Sequence, residues 1–194
     1  MLKILFYAFC NLVFLSQAVT ADDKSAAEEF LKSNLDAVFA VLQKKDLSQQ
    51  AKNSKIEEIV TPMFDFKLMA KLSLGKKYWP GLSQNQREKF TELFVERLRQ
   101  SYLDKLTAYT DEKIVYETPV AVEKKVHAPT QLISKGKKIS MLYKLYLSSD
   151  SWNIYDIEIE GVSIIRSYRS QFSEILQKGT FDDLLKKMEE PVTN

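Results

Sequence analysis

Apolar positions recur every three to four residues through the first half of the chain and again in its last quarter, and every second residue in between. From Asp22 to about Lys45, a stripe of Ala26, Phe30, Leu35, Val38, Phe39 and Leu42 predicts a first helix, with Asp22 and Asp23 at the end where the helix dipole favours acids. Lys44 to Ser54 has no apolar period and reads as a loop or a frayed helix end. A short helix over Lys55 to Val60 follows, closed by Pro62. Phe64, Leu68, Met69, Leu72 and Leu74 make another short helix that Gly75 ends, and Trp79-Pro80-Gly81 is a turn. Ser83 and Gln86 form a capping-box pattern ahead of the longest series, Phe90, Leu93, Phe94, Leu98, Tyr102, Leu106 and Tyr109, about seven turns of helix.

From Lys113 onward β-branched and aromatic residues rise, and the period shortens to two. The predicted strands are Lys113 to Glu117, Val120 to Val126, Thr130 to Ser134, Ile139 to Ser148 and Trp152 to Ile159, with hairpin signals at Lys135-Gly136-Lys137 and Ser149-Asp150-Ser151. In the last strand, alternation puts Asn153, Tyr155, Ile157 and Ile159 on the apolar face and Trp152, Ile154, Asp156 and Glu158 on the other. After a turn at Gly161, Val162, Ile165, Tyr168 and Phe172 trace a helix as far as Lys178 with Ser163 as N-cap. Gly179 stops it and Thr180 caps a final helix, Asp182 to Met188. Helices, then an antiparallel meander, then helices again describe an α+β domain, with several helices packed on one face of a curved antiparallel sheet. Such an arrangement can leave an internal apolar cavity between the two layers.

Lys3 precedes an apolar run from Ile4 to Leu15 that ends in small and polar residues, so residues 1–21 read as a secretory signal peptide, with cleavage after Ala18 or, preferably, Ala21. Residues 22–194 then form a single domain. The only cysteine, Cys10, falls inside the signal. An exported chain without disulfides must rely on its core, which suits a bacterial periplasm. Lys plus Arg exceed Asp plus Glu by two and the charges are interspersed, which points away from a nucleic-acid partner.

Candidate chemistry is sparse. His127, the only histidine, lies beside Pro129 at a strand end or loop and reads as solvent-facing. The chain carries no nucleophile elbow, P-loop, dinucleotide fingerprint or zinc motif, so no cofactor and no metal is expected. Asp156, Glu158 and Glu160 alternate along one strand, about 6 to 7 Å between neighbours. That spacing overlaps the separations glycosidases use. Against this hydrolase reading stands an exposed acidic face, with Asp156 paired to Arg166 or Arg169. The apolar surplus, with Met141, Tyr143, Leu145 and Leu147 on one strand face, fits either a plain core or a cavity for an apolar ligand.

Three stretches carry a family likeness. The segment PMFDFKLMAKLSLGKKYWPGLSQNQREKFTELFVERLRQSYL, the later WNIYDIEIEGVSIIRSYRSQF and Gly179-Thr180-Phe181-Asp182-Asp183-Leu184-Leu185 together resemble the MlaC or toluene-tolerance family, over nearly all of the chain after the signal. The resemblance implies an NTF2-like α+β fold and a non-enzymatic periplasmic phospholipid carrier. It also implies partners: a phospholipid ligand, the MCE-domain subunit of an inner-membrane ABC transporter, and an outer-membrane lipoprotein–porin complex. For such a ligand, periodicity selects Met69, Leu93, Phe94, Tyr102, Tyr143, Leu145, Tyr155, Ile157, Val162 and Ile165 as tail contacts. Tyr168, Arg169, Gln171 and Phe172 match the family's YR-x-QF signature and read as an anchor of helix to sheet, with Arg169 paired to a carboxylate, or else as a docking element. A periplasmic hydrolase and an adaptor of the transporter without a ligand remain the alternatives.

Overall fold

The computed structural model describes residues 20–103, 113–134, 136–149 and 151–191. Nearly all of the stretch read as a signal peptide lies outside the described residues, as do Leu106 and Tyr109 of the longest predicted helix. Among the described residues no helix is long and apolar enough to cross a membrane.

Helix α1 (Ala21–Leu42) starts on a capping box between Thr20 and Asp23. Helix α2 (Gln49–Val60) begins six residues before the predicted Lys55, inside the stretch read as a loop. Local polar bonds explain the difference. Ser48 accepts the Ala51 N–H at 3.3 Å, and Lys52 reaches back to the Leu42 carbonyl at the open end of α1, 2.7 Å away. Between the two helices Val38, Val41, Leu42 and Ile56 form a small core of their own. Helix α3 (Phe66–Leu74) is capped by Asp65 and ends at Gly75, whose φ of 82° favours glycine. The Ser83–Gln86 capping box opens α4 (Gln84–Leu98), which passes into a π-helical turn at Arg99–Leu103.

Among the described residues the sheet is antiparallel and six-stranded: β1 (Lys113–Tyr116), β2 (Val120–Val122), β3 (Lys125–Ser134), β4 (Lys137–Ser148), β5 (Ser151–Ile159) and β6 (Val162–Ser163), ordered β1-β3-β4-β5-β6 with β2 also on β3. Helices α5 (Ile164–Lys178) and α6 (Phe181–Glu189) close the chain. The α+β class holds, with α1, α3 and α5 all packed on the sheet.

Two strands depart from simple alternation. β3 runs unbroken through Pro129, where the sequence pattern shows two separate strands. The proline fits because β1 pairs with Thr130 to Ile133 and β2 with Lys125 to His127, so its missing N–H falls in the gap between them. On that same side its carbonyl accepts the Glu117 N–H at 3.1 Å. In β5, Ile154 pairs with Leu145 and Asp156 with Lys144, which leaves Tyr155 as the extra residue of a β-bulge. The bulge resets the alternation. Trp152 and Ile154 turn to the helix-covered face together with Ile157, while Tyr155 turns away.

Candidate functional site

The interior has two unlike halves. Under α4, α5 and α6 it is filled by rings. Phe90 meets Phe172 edge-on at 5.4 Å between centroids, Phe94 meets Tyr168 at 5.3 Å, and Trp79 and Phe181 close the set around Phe90. The π-helical turn joins this cluster through Ser101, whose hydroxyl lies 3.2 Å from that of Tyr168. Arg169 adds a second tie by donating Nε–H and Nη2–H to the Leu72 carbonyl at 2.8 and 2.6 Å. It therefore anchors α5 on the end of α3, and its partner is a helix-end carbonyl, not the carboxylate expected from the sequence.

The other half stays open. An apolar pocket of about 330 Å³ lies between the sheet and the helices α1 to α4, at the low end of the ~300–1,000 Å³ usual for ligand sites. Its walls are Leu35, Val38, Phe39 and Leu42 of α1, Val60 of α2, Met63, Phe64, Phe66 and Met69 around α3, Val95 and Leu98 of α4, and the sheet residues Ile114, Leu132, Ile139, Met141, Tyr143, Ile157 and Ile159, with Ile164 at the start of α5. Glu57, Thr61, Arg99 and Tyr102 complete the lining. Thr61 and Arg99 are the exposed members of this lining and mark an opening of the pocket to solvent. Arg99 is ion-paired with Glu57 across that mouth, bridging α4 to α2. Burial pushes the Tyr102 and Tyr143 hydroxyls above the ordinary tyrosine range, so both stay neutral. Among the described residues the Tyr143 hydroxyl finds the Met141 sulfur, at 3.9 Å.

Four of the ten sequence candidates, Met69, Tyr102, Tyr143 and Ile157, come together on this pocket. Phe94 packs among the rings, Ile165 and Leu145 are buried in the core without lining the pocket, and Leu93 packs on the core's edge. Val162 is 60% exposed, because it pairs in β6 rather than opening the helix. Tyr155, displaced by the bulge, stacks edge-on with Tyr146 on the far face of the sheet, under the Lys125 ammonium at 4.4 Å. The wall supplied by α1 and α2 was missed. Its only sequence signal is the stripe Leu35, Val38, Phe39 and Leu42, which reads equally as a core face.

The acidic strand is tied down. Lys144 Nζ donates to Asp156 at 3.0 Å and Glu158 at 2.6 Å, Arg166 donates to Glu158 at 3.0 Å, and Asp156 also accepts the Ser163 hydroxyl and the Ile165 N–H at the start of α5. Asp156 thus pairs with Lys144, not with Arg166 or Arg169. Glu160 is held by the Ser140 N–H. The hydrogen bond from Lys144 holds Glu158 below the usual glutamate range. Burial pulls Lys144 down, but its two carboxylate partners leave it net above the usual lysine value. His127 is half-buried within β3, 3.5 Å from the Tyr155 hydroxyl, and burial together with the Lys144 charge lowers its pKa. Among the described residues no three His, Cys, Asp or Glu side chains form a metal-holding group.

A sheet covered by helices over a half-filled, apolar interior, with its charges confined to the mouth, is built to surround an apolar body. The chain belongs to the MlaC family, whose profile, described as MlaC protein, matches residues 32–190. It is 29% identical over 119 residues to the intermembrane phospholipid transport system binding protein MlaC of Haemophilus influenzae, a match spanning 58% of this chain and 56% of that protein. It is 23% identical over 162 residues to the toluene tolerance protein ttg2D of Pseudomonas putida, covering 82% of this chain and 69% of that protein. The fold matches that of a phospholipid-binding protein from Ralstonia solanacearum solved in complex with a phospholipid, with a TM-score of 0.76, 22% identity, and coverage of 85% of this chain and 96% of that one.

Proposed function

We propose that this chain is a periplasmic phospholipid carrier, with residues 1–21 removed on export and 22–194 acting as one lipid-carrying domain. The observation that carries this reading is the apolar pocket beneath the sheet. Each methylene left in water costs about 0.8 kcal/mol, so a lipid with ~30 methylenes needs roughly 20 kcal/mol or more of shelter to cross an aqueous space. A pocket walled by aliphatic and aromatic side chains supplies shelter of that kind. Met69, Tyr102, Tyr143 and Ile157 are the proposed tail contacts, together with the α1 stripe. The names of the Haemophilus relative and of the Ralstonia structure support a phospholipid as the ligand.

The carrier makes and breaks no covalent bond. It takes a lipid from one membrane complex and delivers it to another, an outer-membrane lipoprotein–porin complex and the MCE-domain subunit of an inner-membrane ABC transporter being the proposed partners. The hydrolase reading loses its support once Asp156 and Glu158 share one lysine, and a ligand-free adaptor has no use for the pocket. Protein purified from a bacterial periplasm is expected to release phospholipid into organic solvent in near-stoichiometric amount, measured by mass spectrometry. Protein that stays empty, even after incubation with labelled vesicles, contradicts the proposal.

A further inference from the structure

Among the described residues Arg99 is the only Lys or Arg side chain on the pocket wall and Glu57 the only carboxylate, and the two meet where the lining is exposed. Glu96, one turn back on α4, adds a second carboxylate with an oxygen 3.8 Å from Arg99 Nε. Among the described residues the mouth therefore carries two acids and one cation. A phospholipid whose tails enter the pocket here leaves its head group at this mouth, where the charged side chains of the lining lie. Its phosphate matches the forked donors of a guanidinium, which bind two oxygens at once. Taking Arg99 for the phosphate frees Glu57, and a buried or half-buried carboxylate without a partner opposes binding.

Resting on the carrier reading above, we propose that Arg99, Glu57 and Glu96 form a head-group site that selects phospholipids bearing both a phosphate and a primary ammonium. The phosphate replaces Glu57 on Arg99, and the ammonium then takes Glu57, with Glu96 as a second acceptor. The exchange trades one ion pair for two. A head group with phosphate alone instead puts a third negative charge against a single arginine, and like charges at close range repel. The Thr61 hydroxyl stands at the same opening and can bond either group.

The test uses vesicles with equal amounts of phosphoethanolamine and phosphoglycerol lipids of identical acyl chains. The whole chain is incubated with them and separated, and the bound lipids are quantified by mass spectrometry. The expected result is enrichment of the phosphoethanolamine lipid by about three- to fivefold, the size an exposed ion pair supports. Glu57→Gln should bring the ratio toward parity, more so together with Glu96→Gln, while Arg99→Gln should reduce loading of both lipids. Loading at parity in the unmodified chain, or enrichment that the two glutamine variants leave unchanged, overturns the head-group site while the carrier reading stands. No loading of either lipid overturns both.

Discussion

Lys144 joins three elements through one ammonium group: it stands on β4, its two carboxylate partners stand on β5, and one of those, Asp156, also holds the first turn of α5. The same charge faces His127. Burial and the Lys144 charge both disfavour the imidazolium, so folded His127 takes up a proton at lower pH than the unfolded chain does. Stability therefore falls as pH drops below the ordinary histidine value of 6.5, and the loss stops once the folded histidine itself is protonated. With a single histidine in the chain, one imidazole resonance reports this in an NMR titration. Its midpoint should lie below 6.5 and rise in Lys144→Met, which removes a positive neighbour and leaves two carboxylates nearby; a midpoint at or above 6.5 in the unmodified chain contradicts this geometry. None of it was legible at the residue scale. The sequence shows three acids alternating along one strand, but the cation between them comes from the neighbouring strand, and only the pairing register puts Lys144 opposite Asp156.

Periodicity finds elements well where each residue advances by one step, and fails where the backbone takes an extra one. The stripes of α4 and α5, the second half of the α1 stripe, the caps at Ser83, Ser163 and Thr180 and the hairpins of β3, β4 and β5 can be read in advance, whereas the first half of α1 buries Ala27 and Leu31 and leaves the predicted Ala26 exposed. Tyr155 cannot, because the bulge turns a strand of apparently regular alternation into one whose ends share a face. Pro129 misleads in the opposite sense, since its lost hydrogen bond falls between two edge partners and the strand survives it. The two halves of the interior also predict unequal responses to truncation. Phe90 is fully buried among rings, so Phe90→Ala should cost ~3–5 kcal/mol in urea unfolding. Met141 borders the pocket and is only half-buried, so Met141→Ala should cost nearer ~1 kcal/mol, because part of the space it leaves is already empty. Equal costs at the two sites would mean that the pocket is packed as tightly as the aromatic half.

For the whole molecule, the division of the interior separates holding the fold from holding a ligand. The aromatic half and the Arg169 tie keep α3, α4 and α5 together, so the sheet and α1 to α4 can stay parted over an apolar space without loss of the core. Tyr143 and Leu145 show why this was beyond the sequence. They share one strand face and one pattern, yet Tyr143 borders the pocket and Leu145 is sealed in the core, a difference that periodicity does not carry. A carrier of this design holds acyl chains in the space beneath the sheet. Crosslinking of the chain, loaded with a phospholipid carrying a photoreactive group near the end of an acyl chain, followed by peptide mass spectrometry, reads that position. Labels are predicted on the segments holding Met63 to Met69, Leu35 to Leu42 and Ile139 to Tyr143. Labels confined to the far face around Lys125, Tyr146 and Tyr155 would contradict it.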